Sequence, residues 1–195
     1  IPRRAQPPRR EFTEPQQIGI KRLAVKAPAE LPHLVMSYRA PTLRNPEQDW
    51  KPYALDILAG VLDGNESARL NKHLVREQQI ASSAGAGYDS TARGPSLFFL
   101  EATPSAGRTV QEVEAALRQE IAQLVKDGVS ADELKRVKAQ VTASEVYKLD
   151  SLFYQAMQIG QMESIGLGHQ AIQVMLDKLQ LVTAEQVQQA AKEFL

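Results

Sequence analysis

Three histidines, His33, His73 and His169, are the residues that could anchor metal chemistry in this chain, because its 195 residues include no cysteine. Zinc hydrolases commonly set two imidazoles one helical turn apart and add a carboxylate to work the bound water. Here the histidines lie forty or more residues apart, and neither His-x-x-Glu-His nor His-Glu-x-x-His occurs. A site would have to gather three distant side chains; surface or edge histidines are the simpler reading. His73 and Glu77 stand four apart and would share a face of an α-helix, which is the spacing of a surface pair.

Other chemistries fare no better. Serine catalysis lacks a Gly-x-Ser-x-Gly elbow. Gly85-x-Gly87 has no following glycine and opens no helix, so it reads as a place of close backbone approach in a strand rather than a phosphate cradle. Trp50, Tyr53, Phe98 and Phe99 fall on apolar patterns without a cluster of basic neighbours, which makes them core residues before stacking platforms. Twenty-three basic residues balance twenty-three acidic ones, so no net field attracts nucleic acid or an acidic membrane. No run reaches the ~18 apolar residues of a membrane span. The absence of cysteine is compatible with the periplasm and the cytoplasm alike.

Residues 1–18 carry Pro2, Pro7, Pro8 and Pro15 among arginines and glutamates and read as an extended connector. Together with a start at Ile1 rather than a methionine, this leads us to expect a piece excised from a longer protein, with one folded unit over 19–195. Alternation predicts half-buried strands over Gly19–Ala27, with Leu23, Val25 and Ala27 on one side, and over His33–Ala40. Trp50, Tyr53, Ala54, Ile57, Leu58, Val61 and Leu62 line one face of a helix for which Asp49 is the expected N-cap. A shorter polar helix should span Ser67–Gln78. A small-residue strand follows over Ile80–Asp89, and then a nearly all-apolar, central strand over Leu97–Ala102. The remainder reads as helices, three of them opened by capping boxes at Thr109/Glu112, Ser130/Glu133 and Thr183/Gln186. Few strands paired with sequence neighbours, then several helices, imply an α+β layer: an antiparallel or mixed sheet with helices packed on one face.

Two stretches carry a resemblance. Leu62-Asp-Gly-Asn-Glu-Ser-Ala-Arg-Leu, continuing through Ile80-Ala81-Ser82-Ser83, and Gly128-Val-Ser-Ala-Asp-Glu-Leu-Lys-Arg-Val-Lys138 resemble segments of pitrilysin/insulinase-type peptidases, from their C-terminal half. The opening, a proline-rich connector followed by a strand and a segment ending at Tyr38-Arg-Ala-Pro41, is similar in the same order. The resemblance implies one half of a processing-peptidase-like metallohydrolase fold. Zinc would belong to a partner or upstream half and not to this chain, and the substrate would be an unfolded peptide. It also implies an arginine and a tyrosine seven residues apart that hold the substrate backbone.

This chain departs from that pattern. An ungapped alignment on Arg69-Leu70 and Ile80-Ala81 puts Val75 and Ser82 at those two places, with Arg76 one residue late and the next tyrosine at Tyr88. Arg76 and Ser82 are therefore the candidate substrate-binding residues, and no catalytic or metal-binding residue is expected. Three readings stay open: the non-catalytic half of a zinc metallopeptidase, a pseudo-peptidase structural or binding subunit, or an unrelated α+β interaction domain with a different sheet topology. Expected partners are a zinc-bearing half or partner subunit and, because such halves bury one face, a second copy of the chain as a homodimer.

Overall fold

The structure is a computed structural model that describes Pro15 and residues 17–195; most of the expected connector lies outside the described residues. Strand β1 (Leu34–Ala40) precedes helix α1 (Trp50–Asp63), a π-helix (Asn71–Glu77), and strands β2 (Ala81–Gly87) and β3 (Ser96–Pro104). Helices α2 (Val110–Asp127), α3 (Ala131–Leu149), α4 (Leu152–Ile165), α5 (Ala171–Leu181) and α6 (Ala184–Phe194) complete the order.

The sheet is antiparallel in the order β1-β3-β2. The apolar run Leu97–Ala102 is the central strand, paired on both sides, but it is covered on one face only: Phe98 is buried, whereas Phe99, expected in the core, and Leu97 are exposed, because helices pack on a single side of the sheet. Period-2 alternation divides the sheet. Met36, Ala40, Phe98, Leu100 and Ala102 are buried toward α1, α2 and α6, while Val35, Leu97 and Phe99 remain exposed on the other face. The core is built around α1, in which Tyr53, Leu55, Ile57, Leu58, Val61 and Leu62 are all fully enclosed.

All three capping boxes form, each with the hydroxyl taking the N3 amide and the N3 side chain returning to the cap. Asp49 does not behave as expected. It occupies the N-cap position of α1, but its carboxylate accepts from the amides of Arg44 (2.8 Å) and Asn45 (2.7 Å), closing the preceding loop instead. The strand expected over Gly19–Ala27 is also absent. That segment is irregular, and Ile18, Ile20, Leu23 and Val25 are exposed. Alternation describes a strand only when a ladder partner and a face to bury are both supplied, and the described residues give the segment neither. It is held instead by Arg22, whose guanidinium makes two bonds of 2.7 and 2.6 Å to Glu114 of α2.

Gly60 marks a close approach of α1 to α3. A Cβ there would stand 2.6 Å from Val137 Cγ1. Alanine normally favours a helix by about 1 kcal/mol over glycine. Gly60→Ala is nevertheless expected to lose about 1 kcal/mol, because the β-branched Val137 can yield only by displacing its own neighbours. Urea denaturation measures this; a variant more stable than the native chain would disprove the close-approach role.

Candidate functional site

The segment from Gly64 to Ser82 carries both candidate binding residues, and its geometry begins at Arg69. Its Nε and Nη2 meet Glu133 Oε1 and Oε2 at 2.6 and 2.9 Å, and Nη2 also donates to the Gly128 carbonyl at 2.8 Å. The two side chains are only 13% and 17% exposed. Arg69 belongs to the first of the two resembling stretches, and Glu133 and Gly128 to the second. The motifs are therefore two sides of one joint, which ties the π-helix region to the start of α3.

From Arg69-Leu70 the backbone widens into the π-helix, closed by bonds from the Gln78 amide to His73 O (2.9 Å) and from the Ile80 amide to Leu74 O (3.0 Å). Sequence spacing predicts an α-helix here. The difference matters because an i→i+5 turn holds one more residue than an α-turn. Val75 packs against the core and Arg76 faces solvent. His73 meets Glu120 of α2 at 2.6 Å rather than Glu77, which stands 3.9 Å from Lys72. Gln79 then takes a left-handed φ of 51°, unusual for a side-chain-bearing residue, and turns the chain into β2.

Ser82 sits at a bulge between Ala81 and Ser83. Its hydroxyl donates to Thr103 O at 3.2 Å and lies 3.5 Å from Pro104 O. Arg76 and Ser82 both face solvent at opposite ends of the turn into β2, and no hydrogen bond joins them among the described residues. Farther along β2, Gly85 and Gly87 do what small strand residues suggest: a Cβ on Gly87 would overlap the Phe99 ring, and one on Gly85 would press on Asp63 and Glu101. Phe99 thus lies over Gly87 on the open sheet face, beside Leu97 and Val35.

The histidines are not brought together. His33 contacts Thr103 Oγ1 at 3.1 Å and Glu101 at 3.5 Å, His73 pairs with Glu120, and His169 pairs with Glu163 at 2.9 Å. Among the described residues no three His, Asp or Glu side chains stand close enough to hold a metal ion. These residues do not fit a zinc centre, and no step through a metal is assigned to this chain.

Sequence reasoning passed over Asp56. It lies on α1 beside the apolar stripe, and burial raises its carboxyl to about 7, against a Ser90 hydrogen bond that lowers it and Asp89 nearby that raises it. A charged residue between Leu55 and Ile57 in an otherwise enclosed helix was the available signal.

Residues 1–141 match the family described as the peptidase M16 inactive domain. The chain is 22% identical over 180 residues to the zinc protease YmxG of Bacillus subtilis, covering 92% of this chain and 42% of that protein. It superposes on a protease from Helicobacter pylori with a TM-score of 0.77 at 18% identity, covering 87% of this chain and 40% of that one. An inactive peptidase domain from Bordetella parapertussis gives a TM-score of 0.73 at 18% identity, with 85% and 86% covered. At these identities the structural likeness is one of fold.

Proposed function

The chain belongs to the peptidase M16 inactive-domain family, and from that membership we propose that it is the non-catalytic half of a zinc metallopeptidase, its open sheet face forming the substrate-binding wall opposite a zinc-bearing half. The single observation that carries this reading is the two-sided sheet. Helices cover one face, while the other presents Val35, Leu97 and Phe99 interleaved with Ser37, Arg39 and Glu101. An apolar surface of that kind suits an unfolded peptide, whose exposed side chains need cover. The zinc-bearing half would be an upstream half or a partner subunit, since the chain spans 42% of the curated relative it matches.

Within the wall, Arg76 supplies guanidinium donors for a substrate carbonyl. Ser82, its proton already given to Thr103 O, supplies an oxygen lone pair for a substrate amide. The extra residue in the π-turn supports this role for Arg76, because it leaves Val75 on the core and turns the arginine outward.

A pseudo-peptidase wall is the second reading. It is favoured by the commitment of the two positions implied by the resemblance: Val75 to the core and Ser82 to its own sheet.

Reconstitution separates the two. The isolated chain is expected to bind no stoichiometric zinc and to cleave no unfolded peptide above background; chelator-sensitive cleavage by it alone would sink the non-catalytic assignment. In the assembly with a zinc-bearing half, Arg76→Ala is expected to lower kcat/KM about 10- to 100-fold. An unchanged value would remove Arg76 from the reaction and leave the pseudo-peptidase reading.

A further inference from the structure

We propose that α4 is a self-association surface, pairing with α4 of a second copy of this chain about a two-fold axis. Only Met162 anchors α4 among its described buried residues, whereas Leu152 is 83% and Phe153 71% exposed, with Met157 and Ile159 also open. Leu152, Phe153, Ala156, Met157 and Gly160 recur at i, i+1, i+4, i+5 and i+8, the stripe an amphipathic helix normally turns inward. Here the stripe faces solvent, and exposed Tyr147 from the last turn of α3 extends it.

Several observations identify the occupant as a second copy. Residues 151–162 contain no charged side chain. A charged partner surface would be desolvated against that stripe without compensation, while an identical stripe brings neither unpaired charge nor repulsion. A Cβ on Gly160 would meet nothing within 4 Å, so among the described residues the glycine serves no packing despite its cost to the helix of about 1 kcal/mol. Together with Ala156 one turn away, it allows a second helix backbone to come close. The exposed apolar side chains around α4 amount to on the order of 600 Å², against ~800 Å² per partner in a stable interface. This surface is carried by α4 and not by the sheet, and it lies beyond residue 141, where the family match ends.

The chain has no cysteine, so one engineered thiol reports cleanly. In sedimentation velocity the native 195-residue chain is expected to show a concentration-dependent dimer. Ala156→Cys, close to the axis of an isologous helix pair, should oxidise to an interchain disulfide with its own copy. A thiol at exposed Lys135 on α3 should not. Phe153→Asp is expected to weaken dimerisation at least about 100-fold with no change in the urea midpoint read at concentrations where the native chain is monomeric, because the side chain is already outside the core. A native chain monomeric at every concentration would overturn the proposal, as would a dimer that survives Phe153→Asp. So would a thiol at 156 that cross-links to a zinc-bearing half instead of to itself; that result would leave the wall reading untouched.

Discussion

Replacing Arg69 by alanine is expected to destabilise the chain by about 3 kcal/mol, seen as a lower urea midpoint at unchanged slope. Arg69 reaches both Glu133 oxygens from the π-helix side of the joint, and it also satisfies the Gly128 carbonyl. Removing it leaves a largely enclosed carboxylate and an unpaired carbonyl. Lysine should recover little, since a point charge cannot reproduce the guanidinium fork. Replacing both partners together, Arg69→Met with Glu133→Leu, should cost less than the sum of the two single changes. Equal and additive losses would show that the two motifs are not coupled through this pair.

The same joint sets an acid limit. Burial pushes the Glu133 carboxyl up, but the Arg69 hydrogen bonds and the Ser130 amide and hydroxyl outweigh it and hold the group at about 2. Its unfolded value is about 4.3. The stabilisation is therefore present above about 4.3 and is lost as the pH falls through about 2. Between pH 5 and 2 the native chain should lose more stability than Arg69→Ala, which has already lost the pair.

Asp56→Asn is the second large effect, and its sign is opposite: the variant is expected to be about 2 kcal/mol more stable than the native chain at pH 8. Burial raises the Asp56 carboxyl to about 7 in the folded chain, above its unfolded value of about 3.9. Its contribution is complete below about 3.9 and is lost as the pH rises from there through about 7, because unfolding then releases a carboxylate that the fold disfavours. The residue keeps some exposure, which holds the gain below what the whole shift would give. Asparagine retains an acceptor for Ser90 and carries no charge. The gain should vanish near pH 4, and a gain independent of pH would assign it to packing instead. With Glu133 limiting stability on the acid side and Asp56 on the alkaline side, the native chain should be most stable at mildly acidic pH.

The α+β layer, the central strand, the buried face of α1 and the three capping boxes were legible in the sequence. Each rests on a short-range pattern: an apolar run, a 3.6-residue period, or a hydroxyl three residues before the amide it accepts from. The resemblance to the non-zinc half of a peptidase was legible too, because its motifs lie in order along the chain. The segment Gly19–Ala27 shows the limit. Its alternation is genuine, yet a strand needs a neighbour, and neighbours are supplied by tertiary structure.

The lack of zinc-motif spacing was likewise a property of the sequence alone, since His33, His73 and His169 are too far apart to share adjacent helical turns. Tertiary structure decided what those spacings could not: that each histidine meets a different carboxylate, that Arg69 closes on Glu133 sixty-four residues away, and that a π-turn sends Val75 inward and Arg76 out. The physical reason is range. Periodicity and capping act over a few residues and are written locally, whereas ion pairs, burial and helix type depend on which distant side chains the fold brings within a few ångströms.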